Sequence, residues 1–115
     1  MPLLCRPIAV LLALVGLALV GAVVPALAQE ARPTLTVQNQ QFVPAELTLP
    51  AGQKVELIIR NQQSTPAEFE SSSLHREKIV PPGGQISVFV GPLDPGRYEF
   101  FDDFNRAARG VIVVK

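Results

Sequence analysis

Six side chains in this sequence could do chemistry together: Glu68, Glu70, His75, Glu77, Asp102 and Asp103. Five are carboxylates, and the sixth is the only imidazole in the chain. Oxygen-rich donor sets with at most one imidazole suit hard or borderline ions such as Fe(II), Fe(III), Mn(II) or Cu(II). Asp102 carries the strongest signal, because it shares strand parity with Tyr98 and Phe100 and is thereby aimed inward. A carboxylate on a core face needs partners or a metal. The other five each have a plainer reading. Glu68 and Glu70 flank Phe69, so they can be the wet face of a strand. His75 and Glu77 alternate within a charged run of the kind found at sheet edges, and Asp103 can cap a loop. All six are expected to converge at one end of the fold, where like charges repel and raise one another's pKa unless a cation intervenes. Arg76, Lys78 or Arg106 could supply that cation, and so could a metal ion.

Other chemistries have little to draw on. With one His and its serines in a linker, the chain shows no nucleophile–base pair for Ser/His/Asp or Cys/His catalysis. No Gly-rich phosphate loop or other organic-cofactor motif is visible, since Gly83-Gly84 reads as a turn. The reading is therefore of a binding protein before an enzyme.

The elements that must position these residues read as strands. Turn residues punctuate the chain at short intervals, with β-branched or aromatic runs between them. Alternating segments cover Thr34 to Val37, Glu46 to Leu49, Lys54 to Arg60 and Ile86 to Val90, with shorter runs at Ala67 to Ser71 and His75 to Val80. The spacing Leu93-x-Pro95-Gly96-x-Tyr98 has the form of a tyrosine corner, in which a Tyr hydroxyl bonds back to an upstream turn. Tyr98, Pro95 and Gly96 are accordingly assigned a structural role. A strand then runs to Asp102, a loop is expected from Asp103 to Arg109, and Val111 to Val114 forms a last strand. The fold class expected is all-β, an antiparallel Greek-key sandwich of seven or eight strands.

Only part of the chain belongs to that domain. Arg6 precedes an uninterrupted apolar run from Ile8 to Val24, Pro25 breaks it, and Ala26-Leu27-Ala28 supplies small residues for cleavage. Residues 1–28 thus read as a secretory signal peptide and 29–115 as the exported domain. Cys5 and Met1 are lost with the signal, so the mature 87 residues contain no cysteine and no methionine. The mature chain carries nine basic and ten acidic residues, and no basic patch argues for nucleic acid. The location implied is periplasmic or otherwise exported, with no stable membrane anchor once the signal is removed.

Tyr98-x-Phe100-x-Asp102-x-x-Asn105, running into Gly110 and a Val-rich strand, resembles the C-terminal copper loop of cupredoxins. In those proteins a Cys and a His stand where this chain has Asp102 and Asn105. The region from Asn61 to Glu70, where another His ligand would fall, contains none. A blue-copper site needs a thiolate, so none is expected. The sequence is more similar to the EfeO-type cupredoxin-like family, exported modules found with bacterial iron permeases. That resemblance rests on Phe42-x-Pro44, Pro50-Ala51-Gly52, Asn61, Glu68-Phe69-Glu70-Ser71, Arg76-Glu77-Lys78, Pro82-Gly83-Gly84 and the segment from Pro95 to Gly110. It implies a periplasmic component of an iron uptake system that binds, delivers or helps oxidise iron, with an iron or copper ion at Glu68, Glu70, Glu77 and Asp102 or Asp103. The partner it implies is a membrane iron permease or another uptake component. A metal-free sandwich that docks on such a permease or another exported protein is the competing reading.

Overall fold

The computed structural model describes residues 32–115, all of them in or between β-strands. The expected signal peptide, residues 1–28, and its expected cleavage site lie outside the described residues. Nine strands follow in order: β1 Thr34–Gln38, β2 Gln41–Val43, β3 Glu46–Leu49, β4 Val55–Asn61, β5 Ala67–Ser71, β6 Arg76–Val80, β7 Gln85–Val90, β8 Gly96–Asp102 and β9 Asn105–Val114. They form a four-stranded sheet in the order β2-β1-β4-β7 and a five-stranded sheet in the order β3-β9-β8-β5-β6. Neither sheet is purely antiparallel, because β1 runs parallel to β4 and β3 parallel to β9. The expected two-sheet sandwich is therefore present, with mixed sheets.

Two details differ from the sequence-based expectation. The three residues of β2 were not predicted as a strand; they pair with β1 across a tight turn in which Asn39 and Gln40 both adopt positive φ. A run this short carries too little alternation to register. The expected loop from Asp103 to Arg109 is also absent. Instead β8 and β9 form a tight hairpin in which Asp102 pairs directly with Asn105, and β9 extends over ten residues. Ala108 and Gly110 hide that strand's inward face, because neither looks like a core residue. Ala108 is nonetheless buried, in line with Ile112 and Val114.

The core between the sheets centres on three phenylalanines. Phe42 meets Phe100 edge-on at 4.9 Å, and Phe69 at 6.5 Å, while Phe69 and Phe100 lie tilted at 5.4 Å. Gly110 faces Phe100 across the hairpin. A Cβ there would enter the Phe100 ring and come within 2.8 Å of the Ala45 carbonyl oxygen. The glycine is thus required for the close approach of ring and backbone.

Two polar residues set the frame around this core. Asn61, fully buried, donates through Nδ2 to the carbonyls of Thr65 (2.8 Å) and Val80 (3.1 Å), and its Oδ1 accepts from Gln63 N at 2.9 Å. This closes the loop that carries the chain from the four-stranded sheet to β5. At the other end the Tyr98 hydroxyl donates to the Asp94 carbonyl at 2.8 Å, the corner anticipated from Pro95-Gly96-x-Tyr98. That bond is partly open to water, so Tyr98→Phe is expected to lower stability by about 0.5–1.5 kcal/mol. Chemical denaturation measures it, and an unchanged midpoint would mean that Tyr98 acts only through packing.

Candidate metal centre

In β5 the inward residue is Phe69, so Glu68 and Glu70 point to the outer face of the five-stranded sheet. The neighbours are fixed by register. Glu70 pairs with Glu77 on β6 and with Phe101 on β8, while Phe69 pairs with Asp102. One step beyond, Asp103 N donates to the Glu68 carbonyl at 3.0 Å, which brings Asp103 alongside Glu68 on the same outer face. The result is a group of carboxylates from two strands and a turn: Glu68 and Glu70 on β5, Glu77 on β6, and Asp103 just after β8. Glu68, Glu70 and Asp103 each offer an oxygen within 4.8 Å of the others'.

The electrostatics of this group are those of crowded like charges. The Glu68 carboxyl is pushed up from 4.5 to about 7, first because it shares a hydrogen bond with Glu77. Burial adds to the shift, followed by repulsion from Glu77, Asp103 and Glu70. Glu70 is raised as well, mainly by desolvation and then by Asp103 and Glu77, with Arg106 pulling the other way. Arg106 is the cation that the sequence offered and the fold uses. Its Nη2 and Nε lie 2.9 and 3.1 Å from Asp103 Oδ1. The other two basic candidates are engaged elsewhere. Arg76 Nε donates to the Phe89 carbonyl at 2.9 Å and Lys78 Nζ to the Ser87 carbonyl at 3.1 Å, both on β7.

These shifts give a signed prediction for the metal-free protein. A Glu68 carboxyl raised above its unfolded value favours the folded state at low pH, where it holds its proton. That contribution is lost as pH rises from about 4.5 through about 7. The melting temperature of the wild type should therefore fall over this window, and Glu68→Gln, which needs no proton, should flatten the fall. A wild type equally stable at both ends of the window would contradict the crowding.

The remaining two sequence candidates stand apart. Asp102 is buried on the opposite face of its strand, 2 % exposed, where Oδ1 accepts from Glu68 N at 2.9 Å and from Phe104 N at 3.0 Å. Asp102 ends β8 facing inward, while Asp103, first residue of the turn, is held beside Glu68 by its own N–H, so Asp103 joins the acidic group and Asp102 does not. Asp102 instead lines a cleft at the end of the sandwich, with Gln40, Gln63, Thr65, Phe104 and Asn105. Sequence reasoning missed that cleft, because its amide side chains come from three separate turns. His75 is exposed in the turn between β5 and β6, with φ of 54°. It borders a shallow depression shared with Glu70 and Glu77, toward the far end of β5 from Asp102. Asp102 and His75 are thus not brought into the carboxylate group.

The donors decide which ions fit. The cleft at the end of the sandwich offers one carboxylate, amides and a hydroxyl, and among the described residues it contains neither thiolate nor imidazole. It does not fit a blue-copper ion, which needs a Cys sulfur. The outer-face group offers carboxylate oxygens alone, which fits hard cations.

Comparison with known proteins bears on the fold more than on the site. The sequence model of the cupredoxin-like domain matches residues 8–114. An uncharacterized protein of Rickettsia prowazekii (strain Madrid E) is 46 % identical over 81 residues, which is 70 % of this chain and 65 % of that protein. The chain thus spans under two thirds of that relative's length. Among solved structures, amicyanin from Paracoccus versutus superposes with a TM-score of 0.61 at 14 % identity, covering 76 % of this chain and 84 % of amicyanin. A purple cupredoxin from Nitrosopumilus maritimus gives 0.59 at 16 % identity, covering 72 % and 99 %.

Proposed function

The chain belongs to the cupredoxin-like domain family, and from that premise we propose that it is an exported metal-binding protein of the EfeO-type branch, serving bacterial iron uptake. Iron is its cargo. The single observation that carries this reading is the convergence of carboxylate oxygens of Glu68, Glu70 and Asp103 within 4.8 Å of one another. A further support is that Glu68-Phe69-Glu70 and Arg76-Glu77-Lys78, the segments specific to that branch, pair in register on adjacent strands. A periplasmic location and a membrane permease as recipient belong to the same reading.

The chain's own residues would act as follows. Glu68, Glu70 and Asp103 would supply oxygens, and Glu68, whose carboxyl is raised by crowding, would give up its proton when a cation arrives. Arg106, 71 % exposed at its side chain, can swing away from Asp103 at little cost, because an ion pair this open to water is weak. The site lies on the outer face of the sheet with Glu70 and Asp103 half-buried, a placement suited to taking up an ion and handing it on. Nothing in it builds a path for electrons.

The Arg106–Asp103 pair also favours a second reading. In that case the guanidinium itself compensates the acids, and the domain docks metal-free on a permease or another exported protein. Calorimetric titration of the untagged domain with Fe(II), Mn(II) and Cu(II) separates the two. The metal reading expects one ion per chain with proton release and no intense blue band with copper; absence of binding by any of the three would leave the docking module.

A further inference from the structure

The cleft at the end of the sandwich has a volume of about 530 Å³ and lies on the other side of β8 from the carboxylate group. We propose that it binds a primary ammonium group carried on a short alkyl stem, with Asp102 as the counter-ion.

The case begins with the charge of Asp102. A buried carboxylate requires compensation, and two backbone N–H groups supply part of it, both to Oδ1. Among the described residues Asp102 makes no ion pair, and none of the residues lining the cleft is Lys, Arg or His. The second oxygen is left for a visitor. The rest of the lining fits the shape of that visitor. An ammonium group has three donors, and Asn105, Gln40, Gln63 and Thr65, which line the cleft with Asp102, each carry a neutral side-chain oxygen able to accept from it. Gln63 Oε1 is already tied to Gln40 N at 2.8 Å, which fixes that wall.

Size and the one aromatic residue argue for an organic cation over an inorganic one. A bare ion would occupy a small part of about 530 Å³. Phe104, 53 % exposed at the hairpin tip, also lines the cleft and offers a ring face to an alkyl stem or to the cation itself. A divalent ion would find a single carboxylate here with one oxygen already committed, against three carboxylates on the outer face.

The ammonium could come from a free alkylamine or from a lysine on another protein. Amide NMR spectra of the isotopically labelled domain can test both with n-butylammonium chloride and with an acetyl-Gly-Lys-Gly-amide peptide. Saturable shifts at Gln63, Phe104 and Asn105 are expected with one or both, and the probe that binds identifies the source. The same concentration of 1-butanol should leave these signals in place. Asp102→Asn keeps an oxygen for both backbone donors while removing the charge, and should weaken binding about tenfold or more. Phe104→Ala, at an exposed position, should weaken it without disturbing the fold, so the proposal stays testable even if the Asp102 variant misfolds. Equal shifts with butanol, unchanged binding in both variants, or displacement of the amine by magnesium chloride would each overturn it.

Discussion

Phe100→Ala is expected to cost the domain about 3–5 kcal/mol. The ring is 1 % exposed and is the only one of the core trio that contacts both others at about van der Waals separation, 4.9 and 5.4 Å between centroids. It also covers Gly110, so its removal leaves a cavity on one side and bare backbone on the other. Neither sheet can collapse to fill that space, because Phe42 comes from one sheet and Phe69 from the other. Small domains are stable by only about 5–15 kcal/mol in total, so the variant should be marginal at room temperature. Urea denaturation would show a much lower midpoint with an unchanged slope. A loss below about 1 kcal/mol would mean that the trio is not where the two sheets are held together.

The second large effect concerns the carboxylates. Glu68→Gln and Glu70→Gln should each weaken Fe(II) or Mn(II) binding by about tenfold or more, since each removes a charged oxygen from the group. Asp102→Asn should leave that affinity unchanged, because its side chain lies on the other face of β8. This separates the outer-face group from the end cleft. If Asp102→Asn weakens binding as much as Glu68→Gln does, the ion sits at the end of the sandwich and the outer-face assignment is wrong. Removing Arg106 offers a further check, since Arg106→Gln leaves the acids less compensated and should raise affinity.

Much of this arrangement can be read from the residues. The tyrosine corner is legible because Pro95, Gly96 and Tyr98 stand at fixed offsets, and the structure places the hydroxyl on the Asp94 carbonyl. The strands rich in Val, Ile and Leu are legible by alternation. The hairpin of β8 and β9 is not, because its tip reads Asp103-Phe104-Asn105-Arg106-Ala107-Ala108, polar and helix-friendly in composition. Tertiary packing decides there: Gly110 has no side chain because Phe100 fills the space above it, and Ala108 is buried in the core.

The acidic group was half legible. Parity puts Asp102 inward, and the same parity puts Glu68 and Glu70 outward once Phe69 is taken as core. The two inferences are incompatible with all six candidates meeting at one place. The register between β5 and β8 resolves the conflict, because it sets Asp103 beside Glu68. That register pairs strands far apart in the chain, Phe69 with Asp102, which no local pattern announces. His75 was grouped with the acids by proximity in sequence; its turn carries it to the far end of β5.

On the proposed reading, iron is held on the outer face of the five-stranded sheet. Anomalous diffraction at the iron edge, from crystals of the domain grown with Fe(II) under anaerobic conditions, tests it most directly. One anomalous peak is expected, bounded by oxygens of Glu68, Glu70 and Asp103, with the Arg106 guanidinium displaced from Asp103. A peak beside Asp102 in the end cleft, or no peak and an intact Arg106–Asp103 pair, would contradict it.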